Sequence, residues 1–270
     1  MRAVCSIPPS RLLAIVVRSW SRVETPLSYA LDCFWTLCPI AMLKPSPVRS
    51  LLFTPQSQAM RTFLAGLLCL CVAGLALAVD MPIARAIKAG FVWGDLAKIV
   101  QFAEVFAHGS GVLLIILSAV ALDPRGWRIA PRLMATAYTA GLCANLLKLV
   151  VVRIRPEEFD LHLSVWESFQ GWAPWHPNAY ERGRALQSFP SGHTATAAGF
   201  ALALSRIYPR SAWFFGLLAV LAGLQRIECS AHFLSDVLSG ASLGLFVAAM
   251  FDLPAYRNWF AKLEASPNPK

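Results

Sequence analysis

The sequence predicts an all-α fold, a six-transmembrane helical bundle, from three observations. Hydrophobic residues make up 57% of the 270-residue chain and charged residues only 14%, whereas soluble domains average about 25% charged. The apolar residues are grouped in runs that approach the roughly twenty residues needed to cross a bilayer. The charges lie between these runs and at their ends, as expected when ionisable groups avoid the membrane interior.

The first 59 residues do not follow this pattern. They contain many prolines and scattered basic residues, and their apolar stretch at 27–43 is interrupted by Asp32 and Pro39. Both residues are unfavourable within a span. We therefore expect residues 1–59 to form an arm outside the core, either disordered or lying on a surface. An over-extended start is the alternative, because Met60-Arg61 followed by the first long apolar run is typical of a natural start.

The predicted core, residues 60–255, begins with an uncharged run at 62–79 that fits an uncleaved membrane anchor. The apolar region of a signal peptide is the alternative, although residues 80–82 are not a convincing cleavage site. Residues 83–106 have apolar side chains at helical spacing with charges between them, which predicts an amphipathic helix at the interface. Five further runs complete the six spans, at 105–122, 133–152, 192–207, 211–225 and 237–251.

Basic residues predict the orientation of these spans. The loops after spans two and four, and the segment after span six, carry the positive charges that favour the cytoplasm, namely Arg125, Arg128, Arg132, Arg206, Arg210, Arg257 and Lys262. Residues 256–270 are thus expected to form a cytoplasmic tail. The segments after span three and between spans five and six then share the outward face. This predicts a multi-pass protein of a bacterial plasma membrane with a periplasmic site; a eukaryotic internal membrane is the alternative.

The loop at 157–189 is rich in tryptophan and phenylalanine, which favour the head-group region. An interfacial anchor is the favoured interpretation, with a substrate-selecting lid as the alternative. His162 and His176 in this loop lack metal-ligand spacing, and the seven cysteines show no zinc or disulfide pattern. The net charge of +9 indicates topology control and anionic lipids better than nucleic acid, because no nucleic-acid-binding motif is present.

The segment between the last two spans contains His232 and Asp236. Four residues separate them, which places both on one face of a helix. The carboxylate could accept a hydrogen bond from one imidazole nitrogen and leave the other free to attack. His232 would then be a nucleophile that forms a phosphohistidine. For this pair alone, a structural contact at a helix end is the favoured interpretation.

Pro190-Ser191-Gly192-His193 opens the fourth span. Ser191 is suited to cap the helix, and Gly192 lets a ligand approach the backbone. Free N–H groups at a helix start bind phosphate oxygens, and a protonated His193 could donate to a leaving oxygen. An ordinary loop-to-helix junction would show the same four residues.

Lys148, Arg155 and Arg226 complete the set of charged candidates. Arginine suits bidentate contacts with phosphate, and lysine supplies a point charge. Extension of the side chain towards the interface explains any one of these cations. Their position on one predicted face, together with both histidines, favours a phosphate site.

These segments together resemble the signature of the type 2 phosphatidic acid phosphatase (PAP2) superfamily, which includes the vanadium haloperoxidases. The family pattern is Lys-x6-Arg-Pro, then Pro-Ser-Gly-His, then Ser-Arg-x5-His-x3-Asp. This chain matches the pattern at 148–156, 190–193 and 226–236, with Gln225 where the family usually has serine. The resemblance covers roughly residues 62–252.

The resemblance implies that His232 is the nucleophile, that Asp236 orients it and that His193 is the general acid. It assigns the phosphoryl oxygens to Lys148, Arg155, Ser191, Gly192 and Arg226. No metal or other cofactor is expected. The implied substrate is a membrane lipid bearing a phosphate or diphosphate, such as phosphatidate, phosphatidylglycerol phosphate, a polyprenyl diphosphate or a lipid A phosphate. A vanadate-dependent haloperoxidase and a non-catalytic phospholipid-binding or transport protein remain the alternatives.

Overall fold

The computed structural model describes residues 55–90, 94–172 and 183–265. Residues 1–54 of the predicted arm, which was expected to end at residue 59, lie outside these ranges. Part of the aromatic loop, with His176, and the end of the predicted tail at 266–270 also lie outside them. The predictions for these segments therefore stay predictions.

The protein is mostly helical, as the sequence predicted. Within the described ranges it has nine α-helices: α1 Pro55–Ala76, α2 Asp80–Lys88, α3 Gly94–Phe102, α4 Gly109–Leu122, α5 Ala130–Lys148, α6 Gly192–Ile207, α7 Ala212–Glu228, α8 Leu234–Phe251 and α9 Pro254–Glu264. The helix α8 packs against α1, α5 and α6, and α6 also packs against α5 and α7. These contacts bury the core of the bundle.

Two of these helices are long and apolar enough to cross a membrane, over Ser57–Ala76 and Leu234–Phe251. A third crossing results if Ala97–Phe106 and Gly109–Leu122 form one broken span, which would be bent by 72°. These are the spans found among the described residues. The six-span bundle therefore stays a prediction, although α5, α6 and α7 lie where spans three, four and five were expected.

The single amphipathic helix expected at 83–106 is not present as such. The helix α2 ends at Lys88, and Gly90 follows with a φ of 83°, the left-handed conformation that commonly ends a helix. A second helix, α3, and a 3₁₀ turn at Ala103–Phe106 cover the rest of the described segment. The chain then turns sharply before α4 begins.

A small antiparallel sheet also departs from the all-α prediction. The strands β1 Val151–Arg153 and β2 Phe169–Trp172 pair, with an irregular register between Val152 and Arg153. The third predicted span extended to residue 152, but α5 ends at Lys148. Three consecutive valines at 150–152 favour a strand over a helix, because their branched side chains restrict χ1.

The helices α6 and α8 approach closely because glycines lie between them. A Cβ on Gly240 would lie 2.3 Å from the carbonyl oxygen of Ser191, and one on Gly244 would lie 2.5 Å from that of Ala195. Small residues allow this kind of close backbone contact between membrane helices. The contact holds the N-terminal ends of α6 and α8 side by side.

Candidate active site

The three segments predicted to bind phosphate meet at one end of the bundle, where α5 and α7 end and α6 and α8 begin. A Cβ on Gly192 would lie 3.6 Å from Lys148 Nζ, and Arg226 Nη1 lies 3.5 Å from His193 Nε2. The backbone N–H of His232 donates to the carbonyl oxygen of Arg226 at 3.1 Å. The fold therefore brings residues from three helices and from the loop before α8 into one cluster.

Arg155 joins this cluster just after β1, where its backbone N–H donates to the carbonyl oxygen of Ala185 at 2.8 Å. Its side chain is buried, with Nη1 3.7 Å from Glu157 Oε1. Arg155 Nε is buried without a hydrogen-bond partner, the one such side-chain atom in the part of the chain that the structure describes. An unsatisfied buried donor is costly, and a bound anion would satisfy it.

Ser191 caps α6, as the sequence predicted. Its Oγ accepts hydrogen bonds from Thr194 N at 3.4 Å and from Thr194 Oγ1 at 3.0 Å, while its own backbone N–H donates to the carbonyl oxygen of Asp236 at 3.0 Å. The side chain is buried and used by the helix end. The backbone at Gly192 and the hydroxyl proton of Ser191 remain the groups suited to an anion.

His232 is buried and is held by a backbone carbonyl. Its Nδ1–H donates to the carbonyl oxygen of Ser188 at 2.6 Å, whereas the nearest oxygen of Asp236 lies 3.9 Å from Nδ1. Because a carbonyl oxygen only accepts, this bond fixes the proton on Nδ1 and leaves Nε2 with a lone pair. The expected direct hydrogen bond from His232 to Asp236 is therefore not formed.

Asp236 instead organises the backbone around His232. Its Oδ2 accepts from Ser188 Oγ at 2.6 Å and from the N–H of Phe233 at 2.9 Å. Its Oδ1 accepts a short hydrogen bond from Arg153 Nη1. The carboxylate thus holds Ser188 by its hydroxyl while the carbonyl of the same residue holds His232. Asp236 orients the histidine indirectly, through the residue that both of them contact.

Arg153 is a site residue that the motif analysis missed. It is fully buried, and it donates to Asp80 Oδ2 at 2.8 Å, to Ser235 Oγ at 2.7 Å and to Ser168 Oγ at 3.0 Å, besides Asp236. Its guanidinium carbon lies 4.4 and 4.3 Å from the ring centroids of Phe169 and Phe233. An arginine that is buried at the end of a valine run needs acidic or polar partners. The one sequence feature that could have suggested this contact is Asp80, an acidic residue directly after the first apolar run.

The surroundings of His232 keep its imidazole neutral. Its pKa is lowered well below the usual 6.5, mainly because burial removes the hydration of the charged form, with further lowering from Lys148 and Arg155. The hydrogen bond to Ser188 acts in the opposite direction but is smaller. The neutral ring with a free Nε2 is the form that can attack a phosphorus atom.

The comparison with known families agrees with this cluster. Residues 131–259 match the family model of the PAP2 superfamily. This match covers just under half of the chain and identifies that segment as PAP2-like. The matched segment contains the eight site residues predicted from the sequence, Lys148, Arg155, Ser191, Gly192, His193, Arg226, His232 and Asp236. It leaves out α1 and α2, and Asp80 is the first residue of α2.

Several proteins that are similar to this chain are named phosphatases. A lipid A 1-phosphatase of Rhizobium etli is 35% identical over 117 residues, which is 43% of this chain and 46% of that protein. A phosphatidylglycerophosphatase B of Bacillus subtilis is 36% identical over 78 residues, 22% of this chain and 35% of that protein. The chain thus spans about half the length, or less, of these relatives.

A solved structure is also similar to this chain. It is a transmembrane PAP2 type phosphatidylglycerolphosphate phosphatase from Bacillus subtilis, 21% identical, with a TM-score of 0.49. The similarity covers 76% of this chain and 96% of that one.

One position departs from the PAP2 pattern, and the structure shows what it contacts. Gln225 Oε1 accepts from Arg226 Nε at 2.6 Å, and Gln225 Nε2 donates to Glu104 Oε2 at 3.5 Å. Arg226 Nη2 also forms an ion pair with Glu104 Oε1 at 3.2 Å. Two side chains therefore hold Arg226 from one side. Glu104 lies in the 3₁₀ turn before α4, far outside the motifs, and no sequence signal pointed to it.

A cleft of about 370 Å³ adjoins the PAP2 residues on the side of α4 and α5. Lys148, Gly192 and His193 form one part of its wall, and His108, Asn145, Tyr138, Leu142 and their small neighbours form the rest. We call it the α4–α5 cleft. Within the described residues, no group of three or more His, Cys, Asp or Glu side chains is arranged to hold a metal ion.

Proposed function

We propose that this protein is an integral membrane phosphatase that hydrolyses a phosphomonoester or diphosphate of a lipid through a phosphohistidine. The observation that carries the proposal is His232, neutral and held with Nε2 free, in a cluster with Lys148, Arg155 and Arg226. A nucleophile beside fixed cations suits phosphoryl transfer, in which catalysis is mostly positioning and charge stabilisation. The named activities of the PAP2 relatives support the same reaction class.

In the first step, Nε2 of His232 attacks phosphorus and the ester P–O bond breaks. His193 gives its proton to the leaving oxygen, so that an alcohol departs. The carbonyl of Ser188 stabilises the positive charge that the ring of His232 acquires. In the second step, water attacks the phosphohistidine, His193 accepts a proton from that water, and inorganic phosphate leaves while His232 is restored.

The surface of the protein supports a lipid as the substrate. Large apolar side chains of α1, α4 and α5 are exposed, among them Leu75 at 76% and Leu114 at 63%. Exposed apolar surface on this scale indicates contact with membrane lipids. The phosphate cluster lies at one end of the same helices, which suits a phosphate held in the head-group layer. We extend this to six spans with the cluster facing outward, because the basic loops lie at the opposite end.

The test is phosphate release by detergent-purified protein, with EDTA present, from a panel of lipid phosphates and diphosphates. Wild type should release phosphate, and His232→Ala should lower the rate by at least about a thousandfold, as expected for loss of a nucleophile. The matched control is His162→Ala, since His162 is exposed and lies outside the cluster.

Two results would contradict the proposal. Release that is unchanged in His232→Ala would rule out the phosphohistidine. No release from any substrate would rule out the phosphatase, and halide oxidation in the presence of vanadate and peroxide would then support the haloperoxidase alternative.

A further inference from the structure

The α4–α5 cleft exists because α4 is too short to cover α5. Tyr138 Oη donates to the carbonyl oxygen of Gly109, the first residue of α4, at 2.9 Å. Tyr138 lies ten residues before Lys148, which is about 15 Å along the helix axis. The chain before Gly109 bends away by 72°. The last turns of α5, with Gly141, Asn145 and Lys148 on one face, are therefore open on this side.

The position of the cleft indicates which part of the substrate it receives. His193 lines it together with Lys148 and Gly192. Under the proposed function, His193 gives a proton to the oxygen that leaves. The group attached to that oxygen must then lie on the same side as His193, and the α4–α5 cleft is the space on that side. The cleft thus suits the alcohol part of the ester.

The polar groups next to His193 indicate the chemistry of that alcohol. The side chain of Asn145 is exposed and forms no hydrogen bond with the residues that the structure describes. A Cβ on Gly192 would lie 3.4 Å from Asn145 Oδ1, so the amide lies beside the helix start. The ring of His108 lies 5.8 Å from that of His193, centroid to centroid; its Nδ1 is hydrogen-bonded to Ser110 Oγ at 2.8 Å, so Nε2 is the nitrogen open to a ligand. An amide and an imidazole can both donate and accept hydrogen bonds.

A purely hydrocarbon leaving group would cover these polar groups without offering them a partner, which costs free energy. A hydroxyl near the scissile ester would satisfy them. Leu142 and the exposed leucines of α4 and α5 continue the cleft towards the lipid-facing surface, which leaves room for an attached chain.

We propose that the α4–α5 cleft binds the leaving alcohol and that Asn145 and His108 select alcohols with a hydroxyl next to the phosphorylated carbon. The substrate class is a phosphate ester of a glycerol or sugar head group on a lipid. This inference rests on the proposed phosphatase function. It adds two residues that determine specificity and lie outside the motifs.

The experiment compares two esters that differ by one hydroxyl. The first is phosphatidylglycerol phosphate, and the second is its analogue without the secondary hydroxyl of the terminal glycerol, both in detergent micelles. For wild type, kcat/KM should be at least about tenfold higher for the hydroxylated ester, as expected when a site loses a hydrogen-bond partner. Asn145→Leu should reduce that ratio to about one, and His108→Phe should reduce it in part.

The matched control is Asn258→Leu, which makes the same change at an exposed position of α9 at the other end of the bundle and should leave the wild-type ratio. A wild-type ratio near one would overturn the inference, and so would an undiminished ratio in Asn145→Leu. If Asn145→Leu does not fold, the inference is tested by the wild-type ratio and by its partial reduction in His108→Phe. Hydrolysis of other lipid phosphates but of neither ester would also overturn it while leaving the phosphatase function. The phosphatase function fails only if no lipid phosphate is cleaved.

Discussion

At the scale of residues, Ser188 links Asp236 to His232 through two hydrogen bonds. The carboxylate holds the hydroxyl of Ser188, and the carbonyl of Ser188 holds the imidazole. The carboxylate is itself held by Arg153. A buried carboxylate that loses its partners is strongly destabilising, so the chain binds it from three directions. The histidine receives a fixed tautomer from this arrangement.

This arrangement predicts that Asp236→Asn and Ser188→Ala act through one route. Each should lower kcat, because either change loosens the carbonyl that fixes His232. The double variant should lose little more than the more damaged single variant, since residues in one network are not additive. Measurement of kcat for the four proteins completes the cycle. Losses that multiply in the double variant would show that Asp236 acts independently of Ser188.

The lowered pKa of His232 predicts how stability depends on pH. Below about pH 6.5 the unfolded chain binds a proton on this histidine and the folded protein does not, so stability falls as the pH falls towards the folded-state pKa. Between pH 7.5 and 5.5 this histidine should account for about 1.4 kcal/mol of lost stability. Comparing the pH dependence of thermal unfolding in wild type and His232→Asn isolates that contribution. Equal pH dependence would contradict the prediction.

The site residues were predictable in part. Each of the eight motif residues has an ordinary structural explanation when taken alone, and they stood out because together they match the order and spacing of the PAP2 pattern. Arg153 could not be identified in this way, because its role depends on contacts with Asp80 and Asp236, which lie 73 and 83 residues away in the sequence. The role of Ser188 depends on a backbone carbonyl, and residue type gives no information about where a carbonyl points.

At the scale of elements, the glycine contact between α6 and α8 predicts a sensitive position. In Gly240→Ala the new methyl group would meet the carbonyl oxygen of Ser191 at 2.3 Å, so the two helices must separate. Such overpacking costs about 1–3 kcal/mol, and phosphate release should fall because Ser191 opens the helix end that we propose binds the phosphate. Thermal unfolding and phosphate release are the measurements.

The control for this prediction is Gly74→Ala in α1. Nothing lies within 4 Å of a Cβ at Gly74, and alanine favours a helix over glycine by up to about 1 kcal/mol. Stability should therefore stay the same or rise. Equal effects of the two substitutions would contradict the close contact of α6 with α8.

The positions of the elements were predictable from the apolar runs, but their ends were not. Runs of apolar residues locate α5, α6, α7 and α8 because burial and lipid contact both require them. Hydrophobicity alone does not distinguish the end of α5 from the strand β1, since valines suit either environment. The break after α2 depends on Gly90 alone. The helical spacing of apolar residues continues on both sides of it, so the sequence pattern did not reveal the break.

At the scale of the whole molecule, the two ends of the bundle differ in how completely their basic residues are paired with acidic ones. At the end away from the site, Arg125, Arg132 and Arg206 form ion pairs with Asp123, Glu264 and Asp252. At the site end, Lys148 forms no ion pair with the residues that the structure describes, and Arg155 Nε has no partner. Arg155 and Arg226 do have acidic neighbours there, Glu157 and Glu104, so Lys148 is the cation that the proposed function leaves for an anionic head group.

The position of Asp236 on α8 relates the candidate site to the thickness of a surrounding bilayer. Asp236 lies in the first turn of α8, which is one of the helices long enough to cross a membrane. A helix adapts to a thicker or thinner bilayer by tilting, and any tilt of α8 displaces Asp236 and the adjoining His232 together. Under the proposed function, the depth of the site relative to the head groups would therefore be coupled to acyl-chain length. Membrane thickness would then affect the rate separately from the identity of the substrate.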